Sequence, residues 1–157
     1  MSSGTELFNL KGKRALITGS SQGIGFALAK GLDEAGAEII LNGRNKEKLE
    51  KAAKALTPQN NLHQLSFDVT DKNEIDNVVN NFENEIGSIE ILVNNAGMQH
   101  RTPLEDFPSE IFEQLLKTNI SSVFNVSQVV ARHMIKRGSG KIINNIINLI
   151  FVSYVER

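Results

Sequence analysis

The sequence predicts an α/β fold, in which helices cover both faces of a doubly wound parallel sheet. Short apolar runs alternate along the chain with longer segments whose apolar residues recur at helical spacing. This alternation implies right-handed β-α-β crossovers, which place the strands parallel to one another in one sheet. The chain has 157 residues, of which 40% are hydrophobic and 22% charged, as expected for one globular domain with its own core.

The predicted elements follow one another in a regular order. Strands are predicted at residues 14–18, 38–42, 62–69 and 89–93, and a fifth strand begins at 141–144. Helices are predicted at residues 23–35, 46–56, 75–86 and 108–136. In the first helix we expect Ile24, Leu28 and Leu32 to share one side, and in the last helix we expect Pro108 near the first turn.

Composition argues against several classes of function. The net charge is −1 and no basic block occurs, which argues against nucleic-acid binding. The chain has no cysteine, which excludes disulfides, thiolate metal sites and a cysteine nucleophile, and favours the reducing cytoplasm. We predict no metal site. The first residues lack the apolar stretch of a signal peptide and the last apolar run is too short to span a membrane, so we expect a cytoplasmic protein without a membrane partner.

A glycine-rich loop, TGSSQGIG, begins at Thr18 between the first predicted strand and its helix. We expect Gly19 to allow a tight turn, Gly23 to let a pyrophosphate approach the backbone, and Gly25 to let the helix pack against the strand. Free N–H groups at the start of the helix favour the phosphate charge. The spacing G-x-x-x-G-x-G departs from G-x-G-x-x-G and is not a Walker loop, so a glycine-rich turn without a ligand is the alternative.

The end of the second strand predicts which dinucleotide is bound. An acidic residue at this point would read the ribose 2′-hydroxyl of NAD, but here Gly43 stands in its place. The missing carboxylate removes repulsion against a 2′-phosphate, and the guanidinium of Arg44 can pair with that phosphate. The sequence therefore favours NADP(H) over NAD(H). The alternative is a surface arginine in an Asn-Gly turn.

Four motifs resemble the short-chain dehydrogenase/reductase family, in the same order and over residues 7–144. They are the glycine-rich loop, Asp68-Val69, Asn94-Asn95-Ala96-Gly97 and Asn119. The resemblance implies a Rossmann-like NAD(P)-binding domain over residues 1–144. It also implies a set of cofactor-binding residues, which are Gly19, Ser21, Gln22, Gly23, Ile24, Gly25, Arg44, Asp68, Val69, Asn95, Ala96 and Gly97.

The resemblance implies particular roles for some of these residues. Asp68 and Val69 would line the adenine, residues 95–97 would pass beside the cofactor, and Asn119 would hold a water of the proton relay as a catalytic residue. The residues themselves allow other interpretations. Asp68 could cap the end of a strand, and the side chain of Asn119 could bond the carbonyl four residues earlier in its helix.

A finer resemblance connects the chain with gluconate 5-dehydrogenases, which reduce 5-keto-gluconate with NADPH. It lies in the Asn42-Gly43-Arg44 turn and in the loop over residues 97–107. In that group the loop faces the sugar acid, so Gln99 and Arg101, with His100 between them, are predicted substrate contacts. Arg101 would pair with a carboxylate. A polar surface loop is the alternative, and another sugar acid is possible as the substrate.

The family's catalytic serine, and its tyrosine followed four residues later by lysine, have no counterpart in the expected places. Residues 145–157 read instead as an aberrant apolar tail, such as a frameshift produces. The sequence therefore predicts an inactive fragment, with a sheet incomplete on its C-terminal side and a homo-oligomer interface largely missing. The alternative function is a non-catalytic module that binds NADP(H) or associates with paralogues.

Overall fold

The computed structural model describes residues 9–145, which form one parallel five-stranded sheet with the order β3-β2-β1-β4-β5. All four neighbouring pairs of strands run parallel. The chain winds outward from β1 in both directions, which confirms the predicted doubly wound α/β fold. The strands are β1 (Arg14–Ile17), β2 (Glu38–Asn42), β3 (Leu62–Leu65), β4 (Ile91–Asn94) and β5 (Lys141–Asn144).

Five α-helices connect and cover these strands. They are α1 (Gly23–Glu34), α2 (Lys46–Leu56), α3 (Lys72–Glu85), α4 (Ser109–Leu116) and α5 (Ser122–Arg137). A π-helical turn, Lys117–Ser121, joins α4 to α5, so the single helix predicted at 108–136 contains a widened turn in its first half. Pro108 is the N-cap of α4, next to its first turn as predicted.

The hydrophobic core consists of two layers, one on each face of the sheet. Alternate strand residues point to opposite faces. Leu16, Ile40 and Leu92 therefore pack with α3 and α5 on one face. Ile17 and Leu41 pack with α1 and α2 on the other face. Because both faces are covered at the centre of the sheet, β1, β2 and β4 are mainly apolar and buried, as a parallel sheet requires.

Three strands differ in their bounds from the prediction, and β1 differs by one residue because it ends at Ile17. β3 ends at Leu65 rather than at 69, because its partner β2 ends at Asn42, with which Leu65 is in register. Phe67 and Val69 are nonetheless buried, so their apolar character signals core packing and not strand pairing. The fourth strand is Ile91–Asn94 rather than 89–93.

The residues predicted to share one side of α1 are buried to different degrees. Ile24 is 62% exposed, and the buried positions of this helix are Gly25, Ala29 and Asp33. Leu28 and Leu32 are only partly buried against the core.

Several predictions concern residues at the ends of the chain. Apart from Asn145, the predicted tail at 145–157 lies outside the described residues. Within residues 9–145, no helix is both long enough and apolar enough to cross a membrane.

Phe82 tests the packing of the α3 layer. Its ring is 2% exposed and lies edge-on to His63, with 5.2 Å between the ring centroids. Phe82→Ala should lower the free energy of unfolding by about 3–5 kcal/mol, because it leaves a cavity in a close-packed layer. Phe124 is 62% exposed, and Phe124→Ala should change the free energy by only about 0.5 kcal/mol. Urea denaturation of both variants measures the difference, and equal losses would contradict the described packing.

Candidate functional site

A cleft of about 680 Å³ opens at the carboxyl ends of the strands. In doubly wound sheets this edge holds the ligand, at the point where the strand order reverses. Here that point lies between β1 and β4. The lining combines the loops after four strands with one side of the helix that follows β4: residues 19, 21–25, 42–45, 48, 67–70, 95–98, 114, 117 and 118. All twelve predicted cofactor-binding residues are among them.

Each of the three glycines of the loop is favoured at its position for a different structural reason. Gly19 has a φ of +63°, and a Cβ there would lie 2.9 Å from the Cα of Ala96. Gly23 has a φ of +61°, and a Cβ there would meet no atom within 4 Å, so the backbone faces open space. At Gly25 a Cβ would lie 2.5 Å from both the Asn95 amide nitrogen and the Gly19 carbonyl oxygen. Because Gly25 has no side chain, α1 can contact the loop after β1 at Gly19 and the loop after β4 at Asn95. The prediction had placed this contact at the strand.

Thr18 connects the loop after β1 to the loop after β4. Its hydroxyl oxygen accepts hydrogen bonds from the backbone N–H groups of Asn95 (2.9 Å) and Ala96 (3.0 Å). The side-chain amide of Asn95 in turn donates to the Thr18 carbonyl at 3.1 Å. These bonds hold the glycine-rich loop at a fixed distance from residues 95–97. Sequence reasoning named Thr18 only as part of the motif and assigned it no role.

Asn42, at the end of β2, also connects neighbouring loops by hydrogen bonds. It is 1% exposed, and its side-chain oxygen accepts a hydrogen bond from the Gly19 N–H at 3.2 Å. Its amide group donates to the carbonyls of Leu65 (3.0 Å) and Phe67 (3.2 Å). The loops after β1, β2 and β3 are therefore tied to one side chain. A polar residue that ends an otherwise apolar strand is the signal that could have revealed it.

Arg44 and Asp68 face each other at one end of the cleft. Arg44 Nη1 lies 3.8 Å from Asp68 Oδ2, and the arginine side chain is 81% exposed. Burial raises the pKa of Asp68, but the hydrogen bonds from Thr70 and the charges of Arg44 and Lys117 outweigh burial, so this pKa lies below its usual value. Asp68 Oδ1 accepts from the backbone N–H and the hydroxyl of Thr70, both at 2.8 Å. Asp68 therefore closes the turn after β3 and also lines the cleft.

Asn119 lies in the π-helical turn and is 3% exposed. Its side-chain oxygen accepts from the Met98 N–H at 2.9 Å, and its amide donates to the Met98 carbonyl at 3.0 Å. The side chain therefore holds the loop after β4. The alternative prediction was a bond to the carbonyl four residues earlier, whereas the side chain bonds Met98 in the loop after β4. π-Turns occur frequently at functional sites, since they redirect side chains within a helix.

The predicted substrate contacts follow Met98 in the chain. Gln99 and Arg101 are exposed in the loop after β4 and are not among the residues that line the cleft. Between them, the His100 ring bonds the Thr102 hydroxyl at 2.7 Å and stands edge-on to Phe107. Substrate contact by Gln99 and Arg101 stays a prediction.

Sequence reasoning missed several polar lining residues, among them Lys48, Gln114 and Lys117. Lys48 belongs to the first turn of α2, whereas Gln114 and Lys117 reach the cleft from the helix after β4. Only the folded chain brings these helices to the same opening. Among residues 9–145, no group of His, Cys, Asp and Glu side chains could hold a metal ion.

A family model described as short chain dehydrogenase matches residues 13–149 of this chain. The chain belongs to the short-chain dehydrogenase family. The match begins just before β1 and takes in every strand and helix described above. The family's motifs thus correspond to the loops that form the cleft.

Curated relatives within the short-chain dehydrogenase family include sugar-acid enzymes. The chain is 49% identical over 140 residues to a gluconate 5-dehydrogenase of Gluconobacter oxydans, covering 88% of this chain and 55% of that protein. It is 48% identical over 141 residues to a 5-keto-D-gluconate 5-reductase of Escherichia coli, again covering 88% and 55%. The chain thus spans about half the length of the curated relatives it matches.

Solved short-chain dehydrogenase structures show the same likeness. A gluconate 5-dehydrogenase of Burkholderia cenocepacia, in complex with NADP and tartrate, has a TM-score of 0.85 and 47% identity, over 90% of this chain and 56% of that one. An L-sorbose reductase of Gluconobacter frateurii, complexed with NADPH and L-sorbose, has a TM-score of 0.80 and 31% identity, over 87% and 53%. The predicted resemblance is confirmed. The shares covered also agree with a fold that is incomplete relative to these structures.

Thr18→Val tests the connection between the two loops. Valine has nearly the shape of threonine but cannot accept the hydrogen bonds of Asn95 and Ala96, so the free energy of unfolding should fall by about 1–3 kcal/mol. Thr18→Ser keeps the hydroxyl and should lose less. Urea denaturation measures the stability, and amide hydrogen exchange should accelerate at Asn95 and Ala96 in the valine variant alone. If exchange there is equal in the two variants, the hydroxyl does not hold the loop.

Proposed function

We propose that this chain is the NADP(H)-binding part of an oxidoreductase that acts on a sugar acid such as 5-keto-gluconate. The observation that carries the proposal is the make-up of the cleft. One part of it is the open glycine-rich loop. The other part, which we call the ribose end, contains Arg44 and has no acidic residue where the second strand ends. In this proposal residues 1–144 form the NAD(P)-binding domain. The relatives named above support the substrate class.

The pyrophosphate of the cofactor fits the start of α1. The backbone at Gly23 faces open space, so a phosphate can approach it without meeting a side chain. The N-cap, Gln22, makes no side-chain hydrogen bond to the helix. The N–H groups of the first turn, together with the partial positive charge of the helix end, favour a bound anion. Ile24 is exposed beside them and offers an apolar contact.

The ribose end fits a 2′-phosphate. A Cβ at Gly43 would lie 3.4 Å from the Cβ and the hydroxyl oxygen of Ser21. The ribose would therefore meet the Ser21 hydroxyl and the Arg44 guanidinium, and no carboxylate stands at position 43 to repel the phosphate. In the proposal Asp68 and Val69 line the adenine beyond this point.

The remaining site residues would hold the nicotinamide half of the cofactor in place. When bound, the nicotinamide supplies the hydride of the reaction. Asn95, Ala96 and Gly97 form the wall beside it, held by Thr18, while Asn119 holds Met98. Both polar atoms of the Asn119 side chain already bond Met98, so in this proposal the main chain of the π-turn binds the water of the proton relay. We propose that Asn119 acts by positioning that turn.

Cofactor choice tests the proposed ribose end. Wild-type chain should bind NADPH more tightly than NADH, and Arg44→Ala should remove most of the difference, about 1.5–3 kcal/mol for a charge-assisted pair. Gly43→Asp should reverse the preference, because a carboxylate would accept from the ribose hydroxyls of NADH and repel the 2′-phosphate. Fluorescence titration with each dinucleotide measures both dissociation constants.

Gly43→Asn is the matched control for that experiment, since it adds the same volume against Ser21 without the charge. It should weaken both dinucleotides alike. Equal affinity of wild type for NADPH and NADH, or a reversal by asparagine as complete as that by aspartate, would refute the role of charge at this position.

We also propose that a polypeptide of these 157 residues binds the cofactor without turnover. Its sequence contains one tyrosine, Tyr154, and no Tyr-x-x-x-Lys pattern, so it carries no tyrosine and lysine of the family's kind to donate a proton to the carbonyl. Reduction of 5-keto-gluconate with NADPH, and oxidation of gluconate with NADP, should stay at the background rate in a spectrophotometric assay. Turnover by wild type that Tyr154→Phe abolishes would show that the chain is a working enzyme.

A further inference from the structure

We propose that Lys48 is a second cation that binds the 2′-phosphate of the cofactor, and thus a specificity-determining residue beside Arg44. The inference rests on the proposed function and deepens it, since it concerns the same end of the cleft. It assigns to α2 a share in cofactor selection.

Lys48 lines the cleft together with Arg44 and Asn45. The side chain of Asn45 accepts the Lys48 backbone N–H at 2.9 Å, which fixes the first turn of α2 directly after the Arg44 turn. Lys46 and Lys51 belong to the same helix but do not line the cleft. Lys48 is therefore the lysine of α2 that borders the place where a 2′-phosphate would lie.

Arg44 by itself is a weak match for a phosphate. Its guanidinium already lies 3.8 Å from the Asp68 carboxylate, which competes for the same charge. Lys48, in contrast, has no carboxylate within 4.0 Å among residues 9–145. Its positive charge is therefore free for an incoming anion.

The charges that line the cleft also match the ligand. They are three cations, Arg44, Lys48 and Lys117, and one carboxylate, Asp68. The charges of Arg44 and Lys117 both favour the charged form of Asp68 and lower its pKa. One of these cations offsets the charge of Asp68, so the lining has a net charge of +2, which would fall to +1 without Lys48. A phosphate monoester carries about −1.5 to −2 charges at pH 7, which two cations neutralise and one does not.

The test compares two probes that differ only in the 2′-phosphate, 2′,5′-ADP and 5′-AMP, by isothermal titration calorimetry on the full chain. Lys48→Ala should weaken 2′,5′-ADP by about five- to tenfold and change 5′-AMP by less than about twofold. Lys48→Arg should keep most of the affinity for 2′,5′-ADP. Lys51→Ala, a lysine removed from the same helix away from the cleft, should leave both probes within about twofold of wild type.

Each outcome decides the question. If Lys48→Ala leaves 2′,5′-ADP unchanged, or weakens both probes equally while circular dichroism shows an intact fold, the proposed role of Lys48 is wrong and the proposed function stands. If wild type binds both probes equally well, the 2′-phosphate site itself is absent. If wild type binds neither probe nor NADPH, the proposed function fails and the inference fails with it.

Discussion

The hydrogen bonds between strand ends are the constraint on which the rest of the site depends. The Thr18 hydroxyl fixes the loop after β4, and the Asn42 side chain fixes the loops after β1 and β3. Both side chains are almost fully buried, where a lost partner costs more than at the surface. The cleft therefore has walls of defined shape before any ligand enters, which lowers the entropic cost of binding.

This polar layer at the sheet edge continues from β4 towards β5. The Asn94 side-chain amide donates to Ser127 and Asn144, each at 2.8 Å. The Asn145 amide donates to the side-chain oxygen of Asn95 at 3.0 Å. Since Asn95 in turn bonds Thr18, the end of β5 is coupled to the glycine-rich loop through two side chains. The cleft and the sheet edge behave as one network rather than as separate loops.

The charged residues at the ribose end have a different role from the hydrogen-bonded residues at the strand ends. Arg44 is mostly exposed and its contact with Asp68 is long, so this pair contributes little to stability. The same exposure leaves the guanidinium able to turn towards a ligand. In the proposed function, buried amide and hydroxyl groups provide stability and exposed cations provide cofactor selectivity, so a change in cofactor choice need not disturb the fold.

The sequence by itself determined the fold class, because the alternation of strand and helix patterns admits few arrangements other than a parallel sheet. It also determined which loops form the cleft, since Gly23 and the residues of the family motifs can be recognised without coordinates. Arg44 after Gly43 was visible too, because the absence of an acid is a local feature.

The tertiary structure decided what depends on contacts between distant residues. β3 ends early because β2 ends at Asn42, and no local pattern at 66–69 reports its neighbour's length. Asn119 bonds Met98, 21 residues away, instead of its own helix. Lys48 and Lys117 come from different helices, and only the crossover geometry brings them to one opening. Periodicity reports which residues are buried in an element, whereas the partner that each side chain meets is set by the packing of the elements.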